Sequence, residues 1–572
     1  MGWARGRLTE DKRISTATPG KGPQGDGDCM SNKLNEPKVS PAKAAYHLKQ
    51  LRKLFPRAGD QRFLQMVWAV DALGSGRPEA AARLLTFPQQ AADQSIGSRF
   101  TVHPWELETL LIQLLLTPKE DPQPGVATVF DCSSFASVAN LVNRLRKLED
   151  VESAIYLRGG GFNIFGELHR IGQRQFHWQR GYLNLPQFYR YAFIYAQGNC
   201  GKYFEQTHGL PIAELNLVGF ALFAQSMIAP WISRDFTIPE IGLTSDLLKR
   251  ALPLLLISAD RARKETNHII DAVSAKHGQP IPTAFLPSIL RRYPLLSLDD
   301  EAKEFIAPIP EVLLVRVTSG LYYDLIPGGQ TLLNEASDRF EQYSAAYIEA
   351  LMGRFKVSRA YRYELKKGAP VDTPDLLVKD GEKLVLAIEC KATKLTYLAQ
   401  FAEDPFEAEK KQYLQIANGV FQLWRFFSHV RRGLVKELVD ADTSAMVLTL
   451  DSFTTMNREL KAKVIEEANS IAEMEGDIAA EDRRHIIFCT IQGLEEILSR
   501  CTEEAFLATL NATRKEKYLG WELPQINQEE AAGKEKIEPK KFPFELDGLL
   551  PWWTQFNELK EATGQATRAA RA

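Results

Sequence analysis

The sequence predicts a multidomain protein in which a mostly α-helical N-terminal region precedes a C-terminal α/β domain. Apolar residues recur at spacings of three and four over residues 41–116, which is the period of an amphipathic helix. Residues 117–125 are rich in proline and polar side chains and mark a break. After Thr331 the pattern changes to the order α-β-β-β-α-β, which predicts a mixed sheet flanked by helices.

Composition divides the 572 residues into five predicted segments. They are a disordered extension (1–40), a helical subdomain (41–116), a mostly helical domain (126–330), the α/β domain (331–510) and a C-terminal strap and tail (511–572). The extension is rich in Gly, Pro, Lys and Asp and lacks apolar periodicity, which is typical of disorder. The sequence leaves open whether Met1 or Met30 is the true start. Within the second helical segment, residues 312–318 are predicted to form a short strand.

Charge, cysteine use and hydropathy exclude several classes of protein. The net charge of −2 excludes a strongly cationic nucleic-acid coat, although a local basic groove remains open. The six cysteines form no CxxC pair, and no spacing of His and Cys residues predicts a zinc site. This use of cysteine is typical of proteins in the reducing cytoplasm, where we expect this protein. No apolar run reaches the ~18 residues that span a bilayer, so no membrane partner is predicted.

The most informative stretch is residues 373–391, which predict a β-hairpin. One strand opens with Pro374 and Asp375, a tight turn holds Asp380 and Gly381, and the second strand ends in residues 389–391, which are Glu, Cys and Lys. Two acids and a lysine on otherwise apolar strands cost stability unless they are compensated. Carboxylate oxygens are the ligands that Mg²⁺ prefers, so the hairpin predicts a metal site.

The register of this hairpin decides whether its two carboxylates share a face. A two-residue turn would direct Asp375 away from the face of Glu389, because side chains alternate with period two. A three-residue loop over residues 379–381 pairs Val378 with Glu382 and returns Asp375 to the correct face. The metal hypothesis therefore predicts this pairing and a positive φ at the loop glycine. With a two-residue turn, the site requires a further bulge.

The residue types of the hairpin suit phosphodiester hydrolysis. Asp375 and Glu389, with a backbone carbonyl such as that of Cys390, can hold one Mg²⁺ or Mn²⁺ that keeps some of its water. Such a metal polarises a phosphoryl oxygen and lowers the pKa of bound water. Lys391 can stabilise the charge of the pentavalent phosphorane or orient the attacking water. The competing interpretation is a surface ion pair of little energetic consequence.

These residues carry a family resemblance. An aspartate after a proline, followed fourteen residues later by Glu389, Cys390 and Lys391, resembles the signature of the PD-(D/E)xK nuclease superfamily. The order of elements over residues 331–510 is similar to the restriction-endonuclease-like core of that superfamily. The resemblance implies a Mg²⁺-dependent endonuclease. DNA is the favoured substrate, an RNA such as tRNA is an alternative, and a non-catalytic binding module on the same fold is another.

The resemblance also implies supporting residues on the helices that flank the motif. A glutamate on the preceding helix often joins the metal site, and Glu341 is similar in placement. Its rivals on that helix are Glu335, Asp338 and Glu349. The following helix often contributes a glutamine or lysine that contacts nucleic acid. The candidates of this kind, which recur at helical spacing, are Gln412, Gln415 and Gln422.

The helical block of residues 41–330 precedes the α/β domain, and this arrangement resembles that of many bacterial defence nucleases. The analogy implies a sensor, a substrate clamp or a dimerisation element. The partners it implies are nucleic acid, a protein or phage-derived trigger, and a second copy of the chain. Arg174 and Arg180 lie among aromatic residues, a pattern that suits contacts to phosphates and bases. The alternative for these two arginines is an ordinary amphipathic surface.

Overall fold

The computed structural model describes residues 40–558 except for eleven short gaps. The predicted disordered extension therefore lies outside the described residues, apart from Ser40. The described residues belong to one compact unit, and the segment boundaries proposed within it remain predictions. The gaps are 94, 96–97, 120–129, 159–163, 182–184, 278–280, 366–369, 397–399, 403, 453–457 and 533–536.

Helices dominate the described residues between 40 and 330 and alternate with strands in the described residues that follow. The helices are α1 (Pro41–Arg52), α2 (Asp60–Gly74), α3 (Pro78–Ala81), α4 (Pro104–Leu116), α5 (Phe135–Arg158), α6 (Ile164–Arg180), α7 (Leu185–Tyr195), α8 (Gly198–His208), α9 (Ile212–Ser226), α10 (Ser245–Leu255), α11 (Ala259–His277), α12 (Glu311–Arg316), α13 (Leu321–Leu325), α14 (Gln330–Leu351), α15 (Pro405–Ala408), α16 (Lys410–Arg431), α17 (Arg458–Glu475), α18 (Ile491–Leu498), α19 (Glu503–Ala512) and α20 (Leu523–Glu530). The strands are β1 (Trp231–Ser233), β2 (Leu256–Ser258), β3 (Leu295–Ser297), β4 (Glu304–Ile306), β5 (Phe355–Arg359), β6 (Arg362–Tyr363), β7 (Val371–Asp372), β8 (Leu376–Asp380), β9 (Lys383–Lys391), β10 (Ser444–Thr449) and β11 (Ile486–Thr490).

The N-terminal region is mostly helical, as predicted, because its apolar stripes meet in a shared core. Phe63, Val67 and Val70 of α2 are buried there. The region also holds a small sheet of order β1-β4-β3-β2, whose three-residue strands the sequence did not reveal. The strand predicted over residues 312–318 is wrong, since most of this stretch lies in α12. A short apolar run suits a buried helix as well as a strand.

The C-terminal region is built on a five-stranded mixed sheet of order β11-β10-β9-β8-β5. Strands β9, β10 and β11 are parallel, whereas β5, β8 and β9 are antiparallel. Both faces of the sheet are buried. One packs on α16 and α17, and the other joins the core of the N-terminal helices. The predicted mixed α/β architecture of this region is therefore confirmed.

Polar contacts fasten the helical region to the sheet. The buried guanidinium of Arg190 on α7 forms an ion pair with Glu495 on α18, which also accepts a 2.7 Å hydrogen bond from Tyr343. Gln173 on α6 donates to the carbonyl of Ser452, just beyond β10, at 2.9 Å. The helical region is thus fixed beside the carboxyl end of β10.

The predicted C-terminal strap packs on the helical region. Trp552 is buried with its ring centroid 5.2 Å from that of Phe220, and Phe544 stacks on Tyr189 at 5.0 Å. Across the described ranges, no single helix is long and apolar enough to cross a membrane. The pair α8 and α9, bent by 68°, meets that criterion by length and composition alone.

Candidate active site

The hairpin of β8 and β9 differs from the predicted register at its turn. Gly381 has a φ of 61°, as predicted. The predicted pairing of Val378 with Glu382 is wrong, because Val378 pairs with Leu386 and the turn has two residues between Asp380 and Lys383. A β-bulge between Val378 and Lys379 compensates for the shorter turn. The bulge shifts the register by one residue on β9.

The bulge places the two carboxylates on the same side of the hairpin. Beyond it Leu376 pairs with Ile388, so the next position along brings Asp375 opposite Glu389. Asp375 Oδ2 accepts a 2.7 Å hydrogen bond from the backbone N–H of Cys390, which fixes the aspartate against β9. The geometry that the metal hypothesis required is therefore present, although a bulge produces it rather than a three-residue loop.

Glu389 is a buried carboxylate with one unsatisfied oxygen. Its side chain is 3 % exposed, and Oε1 accepts a 2.8 Å hydrogen bond from Lys391 Nζ. Oε2 has no hydrogen-bond partner among the described residues. Burial is the main cause that raises the pKa of Glu389 to about 7, and the neighbouring acids Asp375 and Glu341 raise it further. A buried anionic oxygen without a partner suits a cation ligand.

Lys391 and Asp375 complete the centre of the site. Burial lowers the pKa of Lys391, but the carboxylates of Glu389 and Asp375 outweigh that effect and leave the pKa above its usual value. Burial raises the pKa of Asp375, against the opposing effects of Lys391 and the N–H of Cys390. The lysine is therefore a firmly charged cation that partly neutralises two desolvated acids.

Helix α16 covers this centre at Gly419. A Cβ at this position would lie 3.0 Å from Lys391 Cε and 3.1 Å from Glu389 Cγ, so the side chains of the motif press against the bare backbone of the helix. Gln415 and Gln422 lie four and three residues away, on the same helix face, and Gln412 lies one turn further. The glutamine stripe thus shares the helix face that covers the motif, while its role in binding nucleic acid remains a prediction.

Glu341 lies at the edge of the site and is held by an arginine. Its Oε2 accepts a 2.9 Å hydrogen bond from Arg359 of β5. Burial raises the pKa of Glu341 to about 7, and Asp375 is the next largest cause. Glu341 is therefore near Asp375 but is shared with a competing cation.

The rival acids on α14 are engaged elsewhere. Glu335 accepts from the backbone of Asn199, and Glu349 accepts from the N–H of Val357 at 2.8 Å. Asp338 pairs with Arg359 and accepts from Gln342. Of the four candidates considered, only Glu341 perturbs the pKa of Glu389.

The donor set fits a divalent cation held mainly by two carboxylates. Within the part of the chain that the structure describes, no three His, Cys, Asp or Glu side chains form a ready metal cluster. Asp375 and Glu389 are the adjacent pair, and the unsatisfied Oε2 of Glu389 is the free donor atom. Cys390 contributes no thiolate, because burial raises the pKa of its thiol well above the usual value. Only its carbonyl remains a predicted ligand.

The arginines predicted to contact nucleic acid do not join this site. Arg174 on α6 forms a largely buried ion pair with Glu149 at 2.7 Å and also donates to Thr109 Oγ1 at 3.0 Å. These internal contacts favour a structural role for Arg174. The side chain of Arg180 lies outside the described residues.

Arg359 is a site residue that the sequence reasoning missed. It ends edge strand β5 opposite Leu376, next to Asp375, and its side chain is 42 % exposed. Its guanidinium reaches both Asp338 and Glu341 and lowers the pKa of Asp375. The available signal was only that Arg359 lies in the first strand of the predicted α-β-β-β-α-β order, while its contacts with the acids of α14 depend on the fold.

We expect Gly419→Ala to slow the hydrolysis that the metal hypothesis predicts for this site by about tenfold, which corresponds to ~1.4 kcal/mol. The new methyl group would displace Glu389 or Lys391, given contacts near 3 Å. Helix stability should be unchanged or improved by up to ~1 kcal/mol, because alanine favours a helix more than glycine. Turnover and thermal unfolding of the variant measure both effects. Asn418→Ala, at the exposed neighbouring position, is the matched control and should leave turnover unchanged.

Comparison with known proteins yields no relative from which a family could be assigned. No protein-family model, no curated protein and no solved structure matches this chain.

Proposed function

We propose that the protein is a metal-dependent nuclease that hydrolyses phosphodiester bonds at Asp375, Glu389 and Lys391. The observation that carries this proposal is the buried carboxylate of Glu389, which has one oxygen bonded to Lys391 and the other without a partner among the described residues. A merely structural ion pair would satisfy both oxygens or lie exposed. The resemblance to PD-(D/E)xK nucleases supplies the substrate class. It favours a Mg²⁺- or Mn²⁺-dependent DNA endonuclease that acts in bacterial defence against phage or foreign DNA.

Each side chain has a distinct part in this reaction. Asp375 and Glu389 would hold the metal, which when bound supplies Lewis acidity towards the phosphoryl group and a water of lowered pKa. The N–H of Cys390 fixes Asp375, so its carboxylate loses little entropy on binding the metal. Lys391 Nζ, anchored on Glu389, donates hydrogen bonds to the charge that develops as water attacks phosphorus and the P–O bond breaks.

A cleavage assay with three substrates tests the proposal. The full chain is incubated with supercoiled plasmid, linear DNA and total tRNA, each with Mg²⁺, with Mn²⁺ or with EDTA. We expect metal-dependent cleavage of DNA, with nicking or linearisation of the closed plasmid as the sign of an endonuclease. Cleavage of tRNA alone would replace DNA with RNA as the substrate.

Two outcomes would contradict the catalytic proposal. Cleavage that persists in EDTA would exclude metal-assisted hydrolysis at this site. Binding of DNA or RNA without cleavage, under conditions in which the metal is shown to bind, would favour the non-catalytic module instead. Bound metal can be measured separately by calorimetry, so the two failures are distinguishable.

The raised pKa of Glu389 predicts that the stabilising effect of Mg²⁺ grows with pH. Burial raises this pKa from 4.5 to about 7, so the folded chain holds the proton more tightly than the unfolded chain. The contribution of Glu389 to the free energy of unfolding therefore falls as the pH rises from about 4.5 to about 7. A metal that binds the carboxylate offsets this loss, since metal and proton compete for the same oxygens.

Thermal unfolding with Mg²⁺ and with EDTA, across that pH range, measures this effect. The difference in melting temperature should widen as the pH rises. It should be small and nearly independent of pH in Glu389→Gln, which has no titratable group at this position. A metal effect that is constant with pH in the unmodified chain would refute the competition.

A further inference from the structure

One edge of the main sheet, strand β11, lines a ligand-sized cleft and is separated from the hairpin by strand β10. Strand β11 ends the sheet order, so its outer side has no neighbouring strand. A cavity of about 520 Å³ adjoins it. Residues 486–488 contribute to its lining, with α17 on one side and residues 518–526 on the other. Cavities of roughly 300–1,000 Å³ are typical of ligand sites.

The cleft runs along β11 and is closed at one end. Near the start of α17, Lys461 Nζ lies 3.4 Å from the carbonyl oxygen of Trp521 and 3.5 Å from Glu522, which ties the two walls together. Towards the start of β11, Arg483 donates to Asn469 Oδ1 of α17 at 2.9 Å. The cleft therefore follows the strand direction, the shape that an extended chain needs.

The sequence of strand β11 lacks the charges and prolines that many sheet edges carry, and its outer side is flanked instead by the wall of residues 518–526. Natural edge strands carry charges, prolines or bulges that prevent pairing with another chain. The opposite edge, β5, has Lys356 and Arg359, whereas residues 486–490 read Ile-Ile-Phe-Cys-Thr without a charge. The backbone groups of residues 486–488 form ladder hydrogen bonds with β10 on one side only, as far as the described residues show. Unpaired backbone donors and acceptors favour a peptide strand over a small molecule.

The cleft has an apolar floor and a basic rim. Leu519 and Trp521 are 40 % and 43 % exposed there, which is unusual for large apolar side chains. The charged side chains among the described lining residues are four basic and one acidic: Arg458, Lys461, Arg483, Arg484 and Glu466. Arg458 is exposed and forms no ion pair with any described residue. Since Lys461 lies 3.5 Å from Glu522 and Arg483 lies 3.9 Å from Glu473, Arg458 is the cation best placed to attract an acidic residue of a bound segment.

We propose that the cleft binds an extended segment of a partner protein, in which apolar and acidic residues alternate, as a sixth strand beside β11. Its backbone would pair with residues 486–488, and alternate side chains would face the apolar floor and the basic rim. This site does not depend on the proposed nuclease activity, since none of its residues belongs to the hairpin.

Selection from a random peptide library on the full-length chain tests this site. We expect enrichment of sequences in which apolar and acidic residues alternate, and the enriched peptide, labelled with a fluorophore, then serves as the probe. Its binding should weaken by about tenfold or more, ~1.4 kcal/mol, when alternate backbone amides are N-methylated. Addition of the peptide should slow hydrogen exchange at residues 486–488. The loss of affinity on N-methylation reports backbone pairing of the peptide, and the slower exchange places that pairing at β11.

A charge reversal with a matched control locates the binding surface. Arg458→Glu, at an exposed position, should weaken the peptide by about tenfold. Lys436→Glu, at another exposed cation that lies outside the cleft lining and forms no ion pair with a described residue, should leave its affinity unchanged. Glu389→Gln should bind the peptide as the parent does, which separates this site from the nuclease proposal. The proposal is overturned if no such peptide is enriched, if N-methylation has no effect, or if self-association of the chain covers β11 instead.

Discussion

Replacing Glu389 with glutamine is expected to abolish cleavage, with a loss of ~10³-fold or more, equivalent to ~4 kcal/mol of transition-state stabilisation. The amide keeps the shape of the side chain but removes the negative charge from the only buried oxygen of the motif that lacks a described partner. Metal affinity should fall with it. Single-turnover cleavage of plasmid at saturating Mg²⁺ measures the first effect, and calorimetric titration of Mg²⁺ measures the second.

The control for this variant is Glu349→Gln on α14. Glu349 is an acid of the same type that accepts a backbone hydrogen bond at 2.8 Å and takes no part in the motif. It should retain full cleavage. If Glu389→Gln cleaves as fast as the control, the catalytic role assigned to the hairpin is wrong.

Replacing Lys391 with methionine is expected to lower the free energy of unfolding by ~3–5 kcal/mol in EDTA, as well as to abolish cleavage. The substitution leaves Glu389, which is 3 % exposed, buried without its cation. The loss should be largest above the pKa of about 7 that Glu389 has in the parent chain, because protonation relieves the buried charge at lower pH. Mg²⁺ should restore part of the stability.

The double variant Glu389→Gln/Lys391→Met separates stability from activity. It removes both charges, so its stability in EDTA should equal or exceed that of the parent by up to ~4 kcal/mol. Its cleavage should still be absent. Chemical denaturation of the parent, the single variant and the double variant measures the series. If Lys391→Met and the double variant were equally stable, the loss of stability in Lys391→Met would not result from breaking the ion pair.

The sequence predicted the motif strand and its partners because turn residues and apolar runs bound them clearly. It did not predict the bulge at the hairpin, since both faces of the sheet are buried and β9 has no polar alternation to reveal a change of parity. Leu384 and Leu386 illustrate this point. Both are fully buried, yet the bulge sends them to opposite faces of the sheet.

The environment of the motif depends on contacts that are distant in sequence. The family resemblance favoured Glu341 over its rivals on α14, but the contact of Glu341 with Arg359 and its closeness to Asp375 emerged only from the structure. The internal ion pair of Arg174 and the closeness of Gly419 to Glu389 arise from helix packing rather than from a local pattern. The residues of the candidate site were therefore identifiable from the sequence, whereas their supporting contacts required the fold.

Titration with Mn²⁺, followed by electron paramagnetic resonance, tests the central claim most directly. The signal of free Mn²⁺ should decrease as a single saturable site fills on the intact chain, and Mg²⁺ should displace the ion. Asp375→Asn and Glu389→Gln should each remove that site, while Glu349→Gln should keep it. Absence of saturable binding, or binding that survives both substitutions in the hairpin, would contradict a metal centre at these carboxylates.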